Sequence, residues 1–218
     1  MTTNLLLIAL FVFCMILMSL NLSKRRKKII FFGDNVNALD MRPGGYISWF
    51  IDGMKEEGEE EHYTILQSIK TGEKIDELCQ RLDDNVLLKD VHTVIMYVGV
   101  QDVPDKYEKG TGTDLPTFTN LYSSIIQKMN DRNIRIIIGL PAPLLKAEFS
   151  NEMLYDMKAY SDIIQSIADK YHATLVDFEG LRLENLNRQA SDVYQTQPTV
   201  NQTIGITLWK IFKGLNLK

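Results

Sequence analysis

Lys28-Ile29-Ile30-Phe31-Phe32-Gly33-Asp34-Asn35 is the most informative stretch of this 218-residue chain. Four consecutive apolar residues that end in Gly-Asp-Asn are typical of a buried parallel strand that stops in a turn. In doubly wound α/β folds, the carboxyl end of the first strand borders the crevice in which ligands bind. We therefore expect the turn at Asp34 and Asn35 to face the functional site.

Downstream of this strand, strand patterns alternate with helix patterns. Apolar or β-branched runs predict further strands at 62–67, 91–98, 134–140 and 174–177. Amphipathic spacing predicts helices at 46–55, after Gly72, from about 114 to 131, at 151–171 and near 201–213, with a loop at 103–112. The alternation predicts an α/β fold of three layers, flavodoxin-like, with a parallel sheet of about five strands between helices.

Charge is unevenly distributed along the chain. The net charge is −4, but the five basic residues from Lys24 to Lys28 contribute +5, so the region from Ile29 onward carries −9. An acidic globular region is a poor candidate for binding nucleic acid, and none is expected as a partner. The two cysteines, Cys14 and Cys79, do not suggest a disulfide framework.

The amino-terminal segment is almost wholly apolar from Leu5 to Leu22 and is followed by the basic cluster. A helix of this length, about 28 Å if it starts at Asn4, is long enough to cross a bilayer core. A cleaved signal peptide is the alternative, but no basic residue precedes the apolar run. The sequence therefore predicts one transmembrane helix, with residues 1–28 as anchor and juxtamembrane segment and residues 29–218 as the folded domain.

The basic cluster also predicts an orientation. Lysine and arginine tend to remain on the cytoplasmic side, so the folded domain of this single-pass protein is expected there, or on the matrix side of a mitochondrial membrane. The predicted partners are the lipid bilayer, through Leu5 to Leu22, and other protein subunits.

Several short motifs occur in order at the predicted strand ends: Phe32-Gly33-Asp34-Asn35, Gln67-Ser68-Ile69-Lys70-Thr71-Gly72, Tyr97-Val98-Gly99-Val100-Gln101-Asp102, Leu140-Pro141-Ala142-Pro143 and Asp192-Val193-Tyr194-Gln195. Together they resemble the motif blocks of the SGNH (GDSL) hydrolase family across nearly all of residues 29–213. The resemblance implies an esterase-like fold. It also implies a site built from a nucleophilic serine, a histidine base, an orienting aspartate, and glycine and asparagine donors for an oxyanion.

The matched positions depart from the family pattern almost everywhere. Asn35 stands at the serine position, Ile69 at the oxyanion glycine and Gln101 at the oxyanion asparagine. Gln195 stands at the histidine position and cannot take up a proton at neutral pH, so Asp192 is retained without a partner to orient. The sequence therefore predicts no catalytic residues, no metal and no cofactor. The candidate pocket residues are Asp34, Asn35, Gln101 and Asp102.

The histidines do not offer a replacement base. His62, His92 and His172 each lie next to the amino end of a predicted strand, opposite the expected crevice. From these features we expect a membrane-anchored, catalytically inactive domain that acts as a structural or accessory subunit of a larger membrane assembly. Two alternatives stay open. One is a membrane-bound esterase, lipase or acyltransferase with displaced catalytic residues, and the other is a lipid- or carbohydrate-binding module that uses the old pocket.

Overall fold

The computed structural model describes residues 10–15, 25–34, 43–141, 149–178, 180–181 and 199–216. Within these residues, strands and helices alternate along the chain. The strands are β1 (Lys27–Gly33), β2 (Tyr63–Ile69), β3 (Thr93–Tyr97), β4 (Arg135–Gly139) and β5 (Thr174–Val176). The helices are α1 (Tyr46–Glu56), α2 (Ile75–Gln80), α3 (Asp102–Glu108), α4 (Leu115–Asn130), α5 (Asn151–Tyr171) and α6 (Val200–Asn216), and a single π-helical turn (Asp83–Leu87) follows α2.

The strands form one parallel sheet in the order β2-β1-β3-β4-β5. The α/β fold with a five-stranded parallel sheet that the sequence predicts is thus confirmed. Gly33 at the end of β1 pairs with Ile69 on one side and with Tyr97 on the other. The connections after β1 and β3 leave in opposite directions along the sheet, which opens a crevice at the carboxyl ends of these two strands.

Two hydrophobic clusters cover the two faces of the sheet. Ile29 and Phe31 of β1 belong to the cluster beneath α1 and α6, whereas Ile30 and Phe32 belong to the cluster beneath α2, α4 and α5. Successive side chains of a strand point to opposite faces, so an uninterrupted apolar run is what a strand buried on both faces requires. All four side chains are 1% exposed or less.

The longer helices begin at side chains that accept hydrogen bonds from the first turn. Asp114 precedes α4 and accepts from the Thr117 N–H at 2.9 Å, and Ser150 precedes α5 and accepts from the Met153 N–H at 3.3 Å. These caps satisfy backbone donors that have no partner within the helix. The capping residues therefore fix where each helix starts and, with it, where the preceding loop reaches the carboxyl edge of the sheet.

Part of the expected loop at 103–112 is helical. Residues 98–101 separate β3 from helix α3, and Val103 on the inner side of this helix is fully buried against the cluster that contains Phe32. The Lys109 and Thr111 N–H groups both donate to the Asp105 carbonyl and close the helix. A seven-residue helix with one apolar anchor has too short a pattern to be recognised from its sequence.

The prediction of a single-pass membrane protein is wrong for the part of the chain that the structure describes. There, no helix combines the length and the apolar character needed to cross a membrane.

Candidate functional site

Asp34 joins three segments at the carboxyl edge of the sheet. Its N–H donates to the Tyr97 carbonyl at 2.7 Å, which extends the pairing of β1 and β3 by one residue. Its carboxylate oxygen Oδ1 accepts from the Gly72 N–H at 2.8 Å, and the residue is 5% exposed. The first predicted pocket residue therefore holds the loop after β2 in place beside the crevice.

Gln101 lies across the crevice, after β3, and is half-buried. Its Oε1 atom is 3.7 Å from the point that a Cβ atom on Gly72 would occupy, so this side chain and the loop after β2 are neighbours. Its Nε2 donates to a carboxylate oxygen of Asp105. Burial acts to raise the pKa of Asp105, but hydrogen bonds from Lys109 and Gln101 outweigh it and keep that pKa below its ordinary value. A charged Asp105 thus orients the Gln101 amide.

Asp102 is directed into the protein. The residue is fully buried, and its two carboxylate oxygens lie 3.2 and 3.4 Å from the Ile75 nitrogen at the start of α2. Burial raises the pKa of Asp102 to about 6, although the Thr113 hydroxyl and the Ile75 N–H oppose the shift. The described contacts of Asp102 therefore fix the orientation of a helix beneath the crevice.

The remaining predicted positions divide into one described residue and three others. Ile69 ends β2, pairs with Gly33, and packs partly buried against the cluster beneath α1 and α6. Asn35, Asp192 and Gln195 lie outside the described residues. The structure thus brings Asp34, Gln101 and Ile69 to one edge of the sheet.

Sequence reasoning missed a buried ion pair next to the crevice. Arg81 donates to both carboxylate oxygens of Glu73, whose side chain is 1% exposed. It also donates to the Ser68 hydroxyl and carbonyl and lies 4.6 Å from the centre of the Phe32 ring. One guanidinium therefore ties the carboxyl end of β2 to the turn that begins α2.

A charge on an apolar helix stripe was the available signal for this pair. Arg81 follows Leu78 by three residues and precedes Leu82, and both leucines are fully buried. Side chains three or four residues apart share a helix face, so this arginine is expected to be buried beside the leucines. A buried charge is costly unless it is paired, so a partner for Arg81 was to be expected.

A groove of about 360 Å³ opens beside the ion pair. Gly72, Glu73 and Arg81 line it together with exposed polar side chains, and Gly72 is also the residue that Asp34 holds. The groove and the crevice between β1 and β3 therefore share one loop. The groove's complete lining is Lys70, Thr71, Gly72, Glu73, Glu77, Gln80, Arg81 and Asp84.

None of the three histidines lies at this edge. His62 precedes β2 and faces Glu59, with Nδ1 and Oε2 3.1 Å apart. His92 precedes β3 and its Nδ1 is 2.8 Å from the Thr93 hydroxyl, while His172 follows α5 with φ 55°. All three are at the amino ends of strands, as the sequence predicts, so no imidazole can act at the crevice. Within the described ranges, no group of three or more potential ligands could hold a metal ion.

Neither a family model nor a curated protein matches the chain. Solved structures do match, and they define a class, the esterases and hydrolases of α/β fold. LAE5, an α/β hydrolase enzyme from the metagenome of Lake Arreo in Spain, has a TM-score of 0.70 at 16% identity over 88% of this chain and 99% of LAE5. Axe2, an acetylxylan esterase from Geobacillus stearothermophilus, has a TM-score of 0.68 at 20% identity over 85% of this chain and 92% of Axe2.

The acetyl xylan esterase AlAXEase is more similar in sequence. It has a TM-score of 0.72 and 31% identity over 84% of this chain and 98% of AlAXEase. At this identity and coverage the comparison shows the family as well as the fold. The chain belongs to the family of the acetyl xylan esterase AlAXEase.

This comparison overturns the prediction that the chain is not an enzyme. The matching structures are of acetyl xylan esterases, which points to an enzyme rather than to a pseudoenzyme. Catalytic mutants of Axe2 replace a serine, an aspartate and a histidine three residues after that aspartate. Asp192 and Gln195 have the same separation here. The prediction failed because it equated the loss of the nucleophile, the oxyanion glycine and the base, at Asn35, Ile69 and Gln195, with the loss of all chemistry.

Proposed function

We propose that this protein hydrolyses acetyl esters on carbohydrates, with the acetyl group bound in the crevice between the ends of β1 and β3. The observation that carries the proposal is the 31% identity to AlAXEase over 98% of that esterase. Near-complete coverage means that the whole catalytic fold is shared, including the edge of the sheet at which ligands of such folds bind.

The described crevice offers donors for the charge that develops during ester cleavage. A carboxamide nitrogen carries two N–H donors, and Asp105 takes one of those on Gln101. The second can be directed at the acetyl oxygen, because the first holds the side chain in a fixed orientation. Donors that are positioned before the reaction lower the barrier when the tetrahedral intermediate becomes negative.

The adjoining groove supports a carbohydrate as the group that carries the acetyl ester. Its volume of about 360 Å³ lies within the usual size of ligand pockets, roughly 300 to 1,000 Å³. The exposed side chains at its rim are Lys70, Glu77, Gln80 and Asp84, which provide both donors and acceptors. A ring that carries several hydroxyl groups needs both kinds of partner.

A carboxylate has to serve as the base in this proposal, since every imidazole is at the opposite edge. Of the described carboxylates next to the crevice, Asp105 holds the Gln101 amide, which leaves Asp34, and the sequence adds Asp192. In this scheme, water attacks the acetyl carbon and its proton passes to the carboxylate. The intermediate then expels the sugar oxygen, which recovers the proton, so that a free sugar hydroxyl and acetic acid are released, and the acid loses its remaining proton to water to give acetate. The proposal keeps the SGNH-type motifs of the sequence but assigns catalysis to residues other than Asn35 and Gln195, which stand at the family's serine and histidine positions.

The test is acetate release from acetylated xylan by the full chain, measured by an enzyme-coupled acetate assay. Gln101→Ala removes the proposed oxyanion donor and should lower the rate about a hundredfold, the usual effect of losing one such donor. Lys158→Gln, which changes an exposed side chain on α5, should leave the rate unchanged. A rate no higher than in buffer, or one that Gln101→Ala does not alter, refutes the proposal.

Association with other protein subunits remains a prediction from the sequence. Gentle purification of the chain from its source, followed by identification of stoichiometric companions, tests it separately from the esterase activity.

A further inference from the structure

A second cavity lies at the amino ends of the strands, on the edge of the sheet opposite the crevice. Its volume is about 410 Å³, which is ample for a small metabolite. The residues that line it come from the starts of β3, β4 and β5 and from the ends of α4, α5 and α6: His92, Asn130, Asn133, Ile134, Arg135, Ile136, Tyr171, His172, Ala173, Thr174 and Leu215.

The polarity of this lining is unusual for an acidic domain. Arg135, His92 and His172 are the groups in it that can carry a positive charge, and no aspartate or glutamate lines the cavity. The region from Ile29 onward has a net charge of −9. A concave surface that has no carboxylate, in a domain with a strong excess of carboxylates, is suited to binding a negatively charged ligand.

Local contacts hold the cationic groups in place. The Arg135 N–H donates to the His92 carbonyl at 3.0 Å, and its guanidinium donates to the Asn216 side chain. Burial lowers the pKa of His92, and the positive charges of Lys27 and Arg135 lower it further. Burial and both positive charges therefore favour the neutral form of this imidazole. The acidic residues within two positions of the lining in sequence, Asp90, Asp131 and Asp169, do not line the cavity.

We propose that this cavity binds a small molecule that carries an oxyanion, either a phosphate or a carboxylate, with Arg135 as its principal contact. Asn130, Asn133 and Thr174 offer hydrogen bonds to the rest of the ligand. A guanidinium donates two parallel hydrogen bonds to either type of oxyanion, so both chemistries suit it. The site is separate from the proposed esterase crevice and does not depend on that activity.

The cationic groups have one competing role, which is to neutralise helix ends. Helices α4, α5 and α6 finish at this edge, where the helix dipole is negative and favours cations. Carbonyls in the last turns of α4 and α5, however, already accept from the backbone: the Ile134 N–H donates to the Met129 carbonyl at 3.1 Å, and the Ala173 N–H donates to the Ala168 carbonyl at 2.9 Å. Hydrogen bonding at the helix ends therefore does not require Arg135.

Histidine NMR resonances of the full chain test the proposal directly. We would titrate sodium phosphate, sodium citrate and sodium chloride at equal ionic strength and follow the imidazole signals. His92 and His172 should shift to saturation with phosphate, with citrate or with both, whereas His62, which does not line the cavity, should not. A bound anion favours the protonated imidazole, so the pKa of His92 should rise by linkage.

Two arginine variants make a matched pair. Arg135→Gln should weaken binding at least tenfold. Arg132→Gln removes the same charge from an exposed position at the same edge that does not line the cavity, and it should leave binding unchanged. If Arg135→Gln does not fold, Asn130→Asp places a carboxylate in the lining and should also weaken binding tenfold.

The proposal is overturned if the shifts are linear in anion concentration, if chloride reproduces them, or if the two arginine variants behave alike. The relative response to phosphate and citrate decides which oxyanion the ligand carries.

Discussion

Replacing Arg81 with methionine should be among the most destabilising single changes in this chain. The substitution keeps most of the apolar stem but removes the partner of Glu73, whose side chain is 1% exposed. Breaking a buried ion pair by removing one member costs about 3 to 5 kcal/mol, because the remaining charge stays buried without compensation. The donors to Ser68 are lost as well, so we expect a loss near the upper end, about 4 to 5 kcal/mol.

A second substitution separates this cause from simple loss of packing. Glu73→Leu in the Arg81→Met background removes the uncompensated charge and fills the space with apolar atoms. Replacement of a whole buried pair by apolar residues is often neutral. The double variant should therefore be at least about 2 kcal/mol more stable than Arg81→Met alone, a coupling that a double-mutant cycle measures.

Urea unfolding followed by the fluorescence of Trp49 and Trp209 gives the required free energies of unfolding. Lys158→Met is the control, since Lys158 and Asp162 form a pair that is 72% and 61% exposed. An exposed pair of this kind contributes less than about 1 kcal/mol. The reasoning fails if Arg81→Met costs no more than this control, or if the double variant is less stable than the single one.

Three further changes address the frame of the crevice. Asp102→Asn should make the free energy of unfolding less dependent on pH. The pKa of Asp102 in the folded chain is about 6, which is above its unfolded value. Its stabilising contribution is therefore full below pH 4 and falls by about 3 kcal/mol as the pH rises through 6. Gly33→Ala should cost more than about 2 kcal/mol, because φ is +125° and a Cβ atom would lie 2.0 Å from the Tyr97 carbonyl oxygen. Ser150→Ala should cost about 1 kcal/mol through loss of the α5 cap.

Each of these three expectations has its own check in urea unfolding. For Asp102→Asn, the difference from the unmodified chain is compared at pH 4 and pH 7, and equal differences contradict the assigned burial. For Gly33→Ala, Gly58→Ala is the comparison, since that glycine has a positive φ but nothing within 4 Å of its Cβ position. For Ser150→Ala, a variant as stable as the unmodified chain would show that the cap is dispensable, whereas Ser150→Asp should retain stability.

The sequence was sufficient to predict the bounds of elements that depend on contacts between residues close together in the chain. Helix α5 runs from Asn151 to Tyr171, as the sequence predicts, because a serine cap opens it and its apolar spacing is uninterrupted. Strand β2 extends two residues beyond its predicted end. The Lys70 N–H donates to the Gly33 carbonyl, so pairing with β1 prolongs the strand past the point where its own pattern stops. Such an extension depends on a partner distant in sequence.

The surroundings of the crevice were harder to predict for the same reason. Asp102 was expected in the pocket because it follows a strand, but its carboxylate turns to the start of α2, 27 residues earlier. Arg81 was overlooked because its partners, Glu73 and Ser68, are brought to it only by the fold. The inference that the chain is not an enzyme failed differently, since it judged a whole family member by the residues at three motif positions, Asn35, Ile69 and Gln195.

The alternation of side chains along β1 has a consequence for how this protein can change. Ile29 and Phe31 face one helical layer, and Ile30 and Phe32 face the other. Insertion of one residue within the strand would move every side chain on one side of the insertion to the opposite face, and each helical layer would meet side chains shaped for the other. Substitutions in β1 that conserve side-chain volume therefore leave both layers packed, whereas a change of length is accommodated only beyond the ends of the strand.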